Sequence, residues 1–154
     1  MTLDDFLRIG VTVPIGSYCF TPEAIVAFAR KYDPQPFHLS EETARGSVFG
    51  RLCASGWHTA AAWMKCNLAH RGDPDLWAGD GPAPEFGPSP GFRNLKWLKP
   101  VYAGETVSFT RTALHHRALV SRPGWRVLAL SGNGADSTGD RVIEFESAVL
   151  IKVE

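Results

Sequence analysis

Residues 55–69 read Ser-Gly-Trp-His-Thr-Ala-Ala-Ala-Trp-Met-Lys-Cys-Asn-Leu-Ala. This stretch predicts one continuous helix, because Ser55 is a favourable N-cap for the run that follows it. The apolar side chains are spread around the helix and do not form a single stripe: Trp57, Ala60, Ala61, Trp63, Met64, Cys66 and Leu68. A helix that is apolar on nearly every side is a buried helix. We therefore expect a central helix with a sheet wrapped around it.

Four strands are predicted after this helix, at residues 92–98, 105–115, 126–131 and 141–153. Apolar and polar residues alternate clearly in the second and the fourth, which is typical of antiparallel strands with one buried face. In the fourth strand the apolar face carries Ile143, Phe145, Val149, Ile151 and Val153. The glycine-containing residues 132–136 predict a turn before it. Strands in this order beside one long helix predict an α+β fold with a curved antiparallel sheet.

The residues before the central helix predict one strand and two shorter helices. Residues 17–20 favour a strand, and Thr21-Pro22 favours a helix start, with a capping side chain followed by proline in the first turn. Residues 40–45 favour a short helical segment. Residues 71–91 are rich in Gly, Pro and Asp and too long for a plain connection, which predicts an excursion near a binding site or a mobile flap. We assign residues 1–154 to a single domain.

The charge balance excludes several classes of partner. Lys plus Arg and Asp plus Glu both number 16 among the 154 residues, so the formal net charge is zero and gives no basis for binding nucleic acid or an anionic membrane surface. No apolar run is long enough to span a membrane, and the N-terminus lacks a secretory-signal pattern. The apolar surroundings of Cys19, Cys53 and Cys66 favour free buried thiols in a reducing cytoplasm. No cysteine or histidine cluster has metal-ligand spacing, so we expect no metal.

The segment Asp33-Pro34-Gln35-Pro36-Phe37-His38 carries the first candidate site. Its two prolines stiffen a loop that holds a carboxylate and an imidazole five positions apart. A carboxylate and an imidazole that converge on one water form a general acid–base pair. Asp33 also follows a helix C-terminus, whose dipole disfavours negative charge, so we expect its pKa to be raised. Because aspartate before proline is also a common turn former, the spacing alone leaves a structural role open.

Ser55 and Gly56 at the start of the central helix form the second candidate site. With Ser55 as the cap, the Gly56 amide is one of the first-turn donors that have no partner inside the helix. The absence of a Cβ and the positive end of the helix dipole favour an acceptor that develops negative charge. The same dipeptide is a good helix start without any ligand.

A basic set consisting of Arg93, Lys96 and Lys99 suits the phosphates of a coenzyme at a tunnel mouth, or the solvated side of a strand. The remaining histidines are interpreted as packing, helix-end or surface residues: His58, His70, His115 and His116.

Three stretches of this sequence together resemble the MaoC-like acyl dehydratases and (R)-specific enoyl-CoA hydratases. They are Asp33-Pro34-Gln35-Pro36-Phe37-His38, Phe49-Gly50-Arg51-Leu52-Cys53-Ala54-Ser55-Gly56 and Leu98-Lys99-Pro100-Val101-Tyr102-Ala103-Gly104-Glu105-Thr106-Val107. The resemblance extends from about Thr21 to the C-terminus. It implies a hot-dog fold, a homodimer or higher homo-oligomer, and an acyl thioester substrate.

By this resemblance, Asp33 and His38 would activate the water that adds to, or leaves from, the α,β double bond of the thioester. The Gly56 amide, beside Ser55, would polarise the thioester carbonyl. The resemblance implies no cofactor, since coenzyme A or a carrier protein is part of the substrate. Many relatives have Asn at the position of Gln35 and His at the position of Ser55, which are departures that bear on the substrate more than on the reaction class. Which member of the dyad acts as acid stays open.

Two other functions compete with this interpretation. Hot-dog thioesterases often use a carboxylate on the central helix, but residues 55–69 contain no Asp or Glu. A non-catalytic module that binds acyl thioesters would keep Asp33 and His38 only as a scaffold.

Overall fold

Six antiparallel strands form one curved sheet in the computed structural model, which describes residues 1–154. The strands are β1 Thr12–Cys19, β2 Glu85–Phe86, β3 Gly91–Trp97, β4 Thr106–Ala118, β5 Trp125–Ala135 and β6 Arg141–Lys152. Their order is β1-β4-β5-β6, and β6 pairs at its other edge with both β2 and β3. The four strands predicted after the central helix are therefore confirmed, with small shifts at their ends.

Four α-helices accompany the sheet: α1 Leu3–Leu7, α2 Pro22–Tyr32, α3 Glu41–Arg45 and α4 Gly56–Ala69. Capping side chains start α2 and α4 as predicted, since Thr21 accepts from the Ala24 amide and Ser55 from the Trp57 amide; Ser40 caps α3 in the same way by accepting from the Thr43 amide. The first helix was not predicted. None of these helices is long and apolar enough to cross a membrane.

The inner side of α4 forms the centre of the core. Trp63 is buried there, packs edge-to-face on Phe145, and donates from its indole nitrogen to the Thr110 carbonyl at 3.0 Å. Other buried members of this core come from α2, β4, β6 and the residue directly after β1, and include Phe20, Ile25, Val107, Phe109 and Ile143. The sheet thus packs against α4 as expected.

The opposite side of α4 is exposed, which corrects the expectation of a helix buried all round. Trp57, Ala61, Met64 and Leu68 recur at helical spacing and form one stripe, which we call the outer stripe. Trp57 is 50% exposed, Met64 42% and Leu68 47%. One chain covers only one side of its apolar helix.

Residues 132–136 do not form the predicted turn, because β5 continues to Ala135. Gly132 and Gly134 lie on the core-facing side of β5, where a Cβ would collide with Phe145 and Trp63 at the first and with Phe109 and Ile143 at the second. These glycines therefore make room for large core side chains. The turn lies later, where Asp136 accepts hydrogen bonds from the Thr138 and Asp140 amides.

The edge strand β1 begins at Thr12, earlier than predicted, and includes Pro14 beside an irregularity in its pairing with β4. Proline is tolerated at such an edge position. All three cysteines are free thiols, but Cys19 is exposed, unlike the buried position expected for it. Residues 71–91 pack as an excursion that contains β2 and a 3-10 turn at Pro74–Leu76.

Candidate active site

A tight loop after α2 brings Asp33 and His38 together. Asp33 caps the C-terminus of α2 with its amide bonded to the Ala29 carbonyl, and Pro36–His38 then forms a 3-10 turn that reverses the chain. His38 Nε2 consequently lies 3.4 Å from Asp33 Oδ2. The rigid loop predicted from the two prolines thus places the two side chains face to face.

The His38 ring is oriented by a backbone carbonyl. Its Nδ1 lies 2.6 Å from the Cys53 carbonyl oxygen, which can only accept, so Nδ1 carries a proton and donates it. In the neutral ring, the lone pair of Nε2 then faces Asp33. The side chain is almost fully buried, at 6% exposure, which fixes this orientation.

The Asp33 carboxylate accepts two hydrogen bonds. Ser55 Oγ donates to Oδ2 at 2.7 Å, and Gln35 Nε2 donates to Oδ1 at 2.6 Å. Partial burial acts to raise the pKa of Asp33, but the hydrogen bonds from Ser55 and Gln35, with a contribution from the charge of His38, outweigh it and lower the pKa below its ordinary value. The expected rise in pKa is therefore wrong, because these donors, 22 and two residues away in the sequence, stabilise the anion more than burial opposes it.

The N-terminus of α4 begins directly beside this carboxylate. Ser55 donates to Asp33, while its own hydroxyl and carbonyl oxygens accept from the amides of Trp57, His58 and Thr59. The Gly56 amide donates to no acceptor of the protein. It is thus a free donor at the positive end of a 14-residue helix.

Asp33, His38 and Gly56 all line one cavity of about 350 Å³. Its apolar walls come from the loop after α2, the start of α4 and the end of β3, and include Phe37, Phe49, Trp57, Trp97, Leu98 and Val101. A volume of this size suits a small organic group. The structure therefore brings together a carboxylate, an imidazole and a free amide at an apolar cavity, as the sequence predicts; their catalytic roles remain a prediction.

Two groups of this site were missed in the sequence. Trp57 and Trp97 meet edge-to-face at the cavity, with ring centroids 4.9 Å apart, and the Trp97 indole lies so close to Gly56 that a Cβ there would collide with it. The Cys53 carbonyl orients His38. The glycine at the start of α4 was recognised in the sequence, but the sequence did not show that Trp97 at the end of β3 packs on it.

The predicted basic set does not form one phosphate site. Arg93 pairs with Glu146 at 2.9 Å, and Lys99 lies between Asp136 at 2.7 Å and Asp140 at 2.9 Å. The hydrogen bonds that Lys99 donates to these two carboxylates raise its pKa, and the carboxylates balance its positive charge. Lys99 lines the cavity, but its ammonium group is already paired with Asp136 and Asp140. This pairing corrects the prediction that Lys99 is free to bind a phosphate. Lys96 is exposed and makes no ion pair.

The other histidines lie away from the dyad. His58 is buried against Tyr18, Phe20 and Phe28, and this burial lowers its pKa to about 4, so it is a neutral packing residue as expected. His70 caps the end of α4. His116 corrects the expectation of a surface residue: it lies within β4, where its Nε2 contacts Asp4 at 2.7 Å and its Nδ1 accepts from Arg126 at 2.6 Å.

Cys53 is the nearest group that could compete as a nucleophile. Its sulfur lies 3.8 Å from His38 Nδ1, but burial raises the pKa of its thiol to about 11. The thiol therefore stays protonated and unreactive near neutral pH.

Solved structures with the same fold carry related chemistry in their names. The MaoC-like dehydratase from Rhodospirillum rubrum is 32% identical to this chain with a TM-score of 0.80, and the match covers 100% of this chain and 98% of that one. The (R)-hydratase from A. caviae involved in PHA biosynthesis is 20% identical, with a TM-score of 0.65 and coverage of 95% and 96%. A C-terminally truncated HadBC (3R-hydroxyacyl-ACP dehydratase) complex from Mycobacterium tuberculosis is 17% identical, with a TM-score of 0.70, and the match covers 92% of this chain and 96% of that one.

These similarities confirm the predicted hot-dog fold. A comparison with curated proteins gave no match. A family model described as the MaoC like domain matches residues 9–119, a range that contains the dyad and the whole of α4 and β4. On this match and the 32% identity to the Rhodospirillum rubrum protein, the chain belongs to the MaoC-like dehydratase family.

Proposed function

We propose that this protein adds water to, or removes it from, the α,β double bond of an acyl thioester. The observation that carries the proposal is the shared cavity of the Asp33 carboxylate, the His38 imidazole with its Nε2 directed at that carboxylate, and the free Gly56 amide. Membership of the MaoC-like dehydratase family supports a hydratase or dehydratase activity in general.

In the hydration direction, one water bridges Asp33 Oδ2 and His38 Nε2, both of which accept hydrogen bonds. The water oxygen attacks the β carbon, the dyad takes the proton that the water loses, and the dyad then passes that proton to the α carbon, so that one water is added in total. Negative charge that develops on the thioester oxygen is stabilised by the Gly56 amide and the dipole of α4. The lowered pKa of Asp33 favours an ionised carboxylate that holds the water at neutral pH.

The substrate of this proposal is an enoyl or 3-hydroxyacyl ester of coenzyme A or of a carrier protein, and no separate cofactor takes part. The apolar walls of the cavity suit an acyl group. Lys96 is the one member of the predicted basic set that remains uncommitted near this end of β3, and it is our candidate for contacting an anionic carrier group.

A panel of enoyl-CoA and 3-hydroxyacyl-CoA esters tests this function. We expect the enoyl chromophore to disappear on water addition, with no free thiol released. Release of coenzyme A would instead indicate a thioesterase, an alternative disfavoured because α4 carries no carboxylate. Saturable binding of the esters without turnover would identify a non-catalytic binding module.

The pH at which activity is lost in acid is expected to be set in part by Ser55. Because its hydrogen bond helps to lower the pKa of Asp33, Ser55→Ala raises that pKa towards its ordinary value. With ionised Asp33 as the active form, activity falls as the pH drops through this pKa, so the acid limb of kcat/KM moves to higher pH in the variant. Ser55→Thr keeps the hydroxyl and serves as the control with an unmoved limb. An acid limb at the same pH in wild type and Ser55→Ala would contradict the role of Asp33.

We also propose that residues 1–154 form one hot-dog domain that assembles as a homodimer or higher homo-oligomer in the cytoplasm. The outer stripe of α4 and the unpaired edge of β3 offer an apolar surface for a second copy. The HadBC dehydratase, of similar fold, is described as a complex. Three free thiols suit a reducing compartment.

Met64→Glu is expected to convert the oligomer to single chains, because it places a charge in the middle of the outer stripe. Light scattering at defined protein concentration measures the mass. Val120→Glu is the matched control, since Val120 is 98% exposed in the turn between β4 and β5. A wild-type mass of one chain, or an oligomer unchanged by Met64→Glu, would contradict this interface.

A further inference from the structure

A second and larger cavity, of about 500 Å³, lies at the opposite end of α4 from the dyad. Its walls are formed by α1, the end of α4, residues 70–76 and the core-facing side of the sheet, and its apolar lining includes Phe6, Leu7, Leu76, Leu128, Leu130 and Val149. It shares no lining residue with the cavity of Asp33 and His38. Because α4 has 14 residues, the two cavities are separated by roughly 20 Å.

Arg111 is the unusual residue of this second cavity. It continues the core-facing row of β4, in which Val107, Phe109 and Ala113 are buried apolar residues. An arginine directed to the apolar side of a sheet costs free energy unless its charge meets a partner. Burial accordingly lowers the pKa of Arg111.

The protein supplies Arg111 with only one hydrogen-bond acceptor. Its guanidinium donates to Asn67 Oδ1 at 2.7 Å and takes part in no ion pair, which leaves most of its five N–H donors without a protein acceptor. Two carboxylates also line the cavity, but each serves its own turn: Asp5 accepts from Thr2, and Asp73 accepts from the Asp75 amide. The positive charge of Arg111 is therefore not compensated by either.

Two further cations, Arg8 and Arg71, line the same cavity and enter none of the protein's ion pairs. An apolar cavity with a guanidinium group on its wall is complementary to an anion that carries a hydrocarbon chain. Arginine binds carboxylates with two parallel hydrogen bonds, and the leucines and Phe6 would cover the chain. A neutral ligand of the same shape would leave the positive charge of the Arg111 guanidinium uncompensated.

We propose that this cavity binds the carboxylate of an aliphatic acid through Arg111, at a site separate from the dyad. The ligand is the free acid, because its carboxylate is the anion that the Arg111 guanidinium can pair with, whereas in the thioester of a monocarboxylic acid a neutral carbonyl takes the place of that carboxylate. The proposal is independent of the hydratase activity, since binding is measured without turnover.

Titration calorimetry of the full chain with sodium octanoate, and with 1-octanol as its neutral counterpart, tests this site. We expect one octanoate per chain and binding of 1-octanol at least tenfold weaker. Arg111→Met keeps the length of the side chain but removes the charge, and should weaken octanoate at least tenfold. Lys99→Met removes the one cation that lines the dyad cavity and should leave octanoate binding unchanged.

Absence of saturable binding, equal affinity for 1-octanol, or full affinity in Arg111→Met would each overturn the proposal. Thermal unfolding of each variant checks that the fold is retained. A crystal structure of the wild-type complex provides a readout that needs no variant. Octanoate with its carboxylate within hydrogen-bond distance of the Arg111 guanidinium supports the site, and octanoate found only beside Asp33 overturns it.

Discussion

Replacing Asp33 by asparagine is expected to lower kcat for hydration of an enoyl thioester by about 10²–10⁴-fold, the usual contribution of a positioned acid or base. Asparagine keeps the size of the side chain but loses the charge that the hydrogen bonds from Ser55 and Gln35 stabilise and that, in the proposed mechanism, holds the water beside His38. KM should change little, because in the proposed mechanism the carboxylate acts on the water and not on the acyl chain. Initial rates at saturating substrate measure the effect.

His38→Ala should reduce kcat by a similar factor, and it also leaves the buried Cys53 carbonyl without its donor, at a cost of about 1–3 kcal/mol in the free energy of unfolding. The double variant should be hardly slower than either single one if, as we propose, the two groups act on the same water. Glu23→Gln in the first turn of α2 removes an exposed carboxylate as the matched control. If Asp33→Asn keeps more than about a tenth of wild-type kcat, the dyad mechanism is wrong.

The local geometry of this site was predictable because it is encoded in adjacent residues. The prolines at 34 and 36 stiffen the loop, and Ser55 caps α4, so the rigid loop and the helix start follow from short-range rules. The sign of the Asp33 pKa shift was not predictable in this way. It depends on Ser55, which is 22 residues away in the sequence and reaches the carboxylate only through the fold.

The errors in the fold have the same origin. Glycines such as Gly132 and Gly134 are typical of a turn, but both lie within β5. They are glycines there because Trp63, Phe145 and Phe109 fill the space that a side chain at these positions would need. Only the packing of distant residues distinguishes these two cases. The residue range of α4 was predicted correctly, but its outer stripe was predicted to be buried. A sequence does not show how many sides of a helix are covered by the rest of the same chain.

Gly56→Ala keeps the backbone N–H, but its methyl group and the displaced Trp97 indole change the approach of the thioester oxygen to that amide. We expect kcat to fall by about 10²-fold, an effect comparable to that of losing one donor to a developing oxyanion. A Cβ at this position collides with the Trp97 indole, so the indole must move away from the helix start and the wall of the cavity beside the amide changes. Trp97 is 45% exposed and can swing outwards, and alanine favours the helix more than glycine does. The melting temperature should therefore change much less than the rate.

Gly46→Ala provides the matched control, because Gly46 ends α3 with a φ of −82° and a Cβ there meets no atom within 4 Å. Its rate and its melting temperature should both stay close to those of the wild type. A large loss of stability in Gly56→Ala with kcat preserved would mean that Gly56 serves only the packing of Trp97. A preserved melting temperature with a large fall in kcat assigns the amide and the indole above it to the reaction, because packing alone does not separate the two quantities.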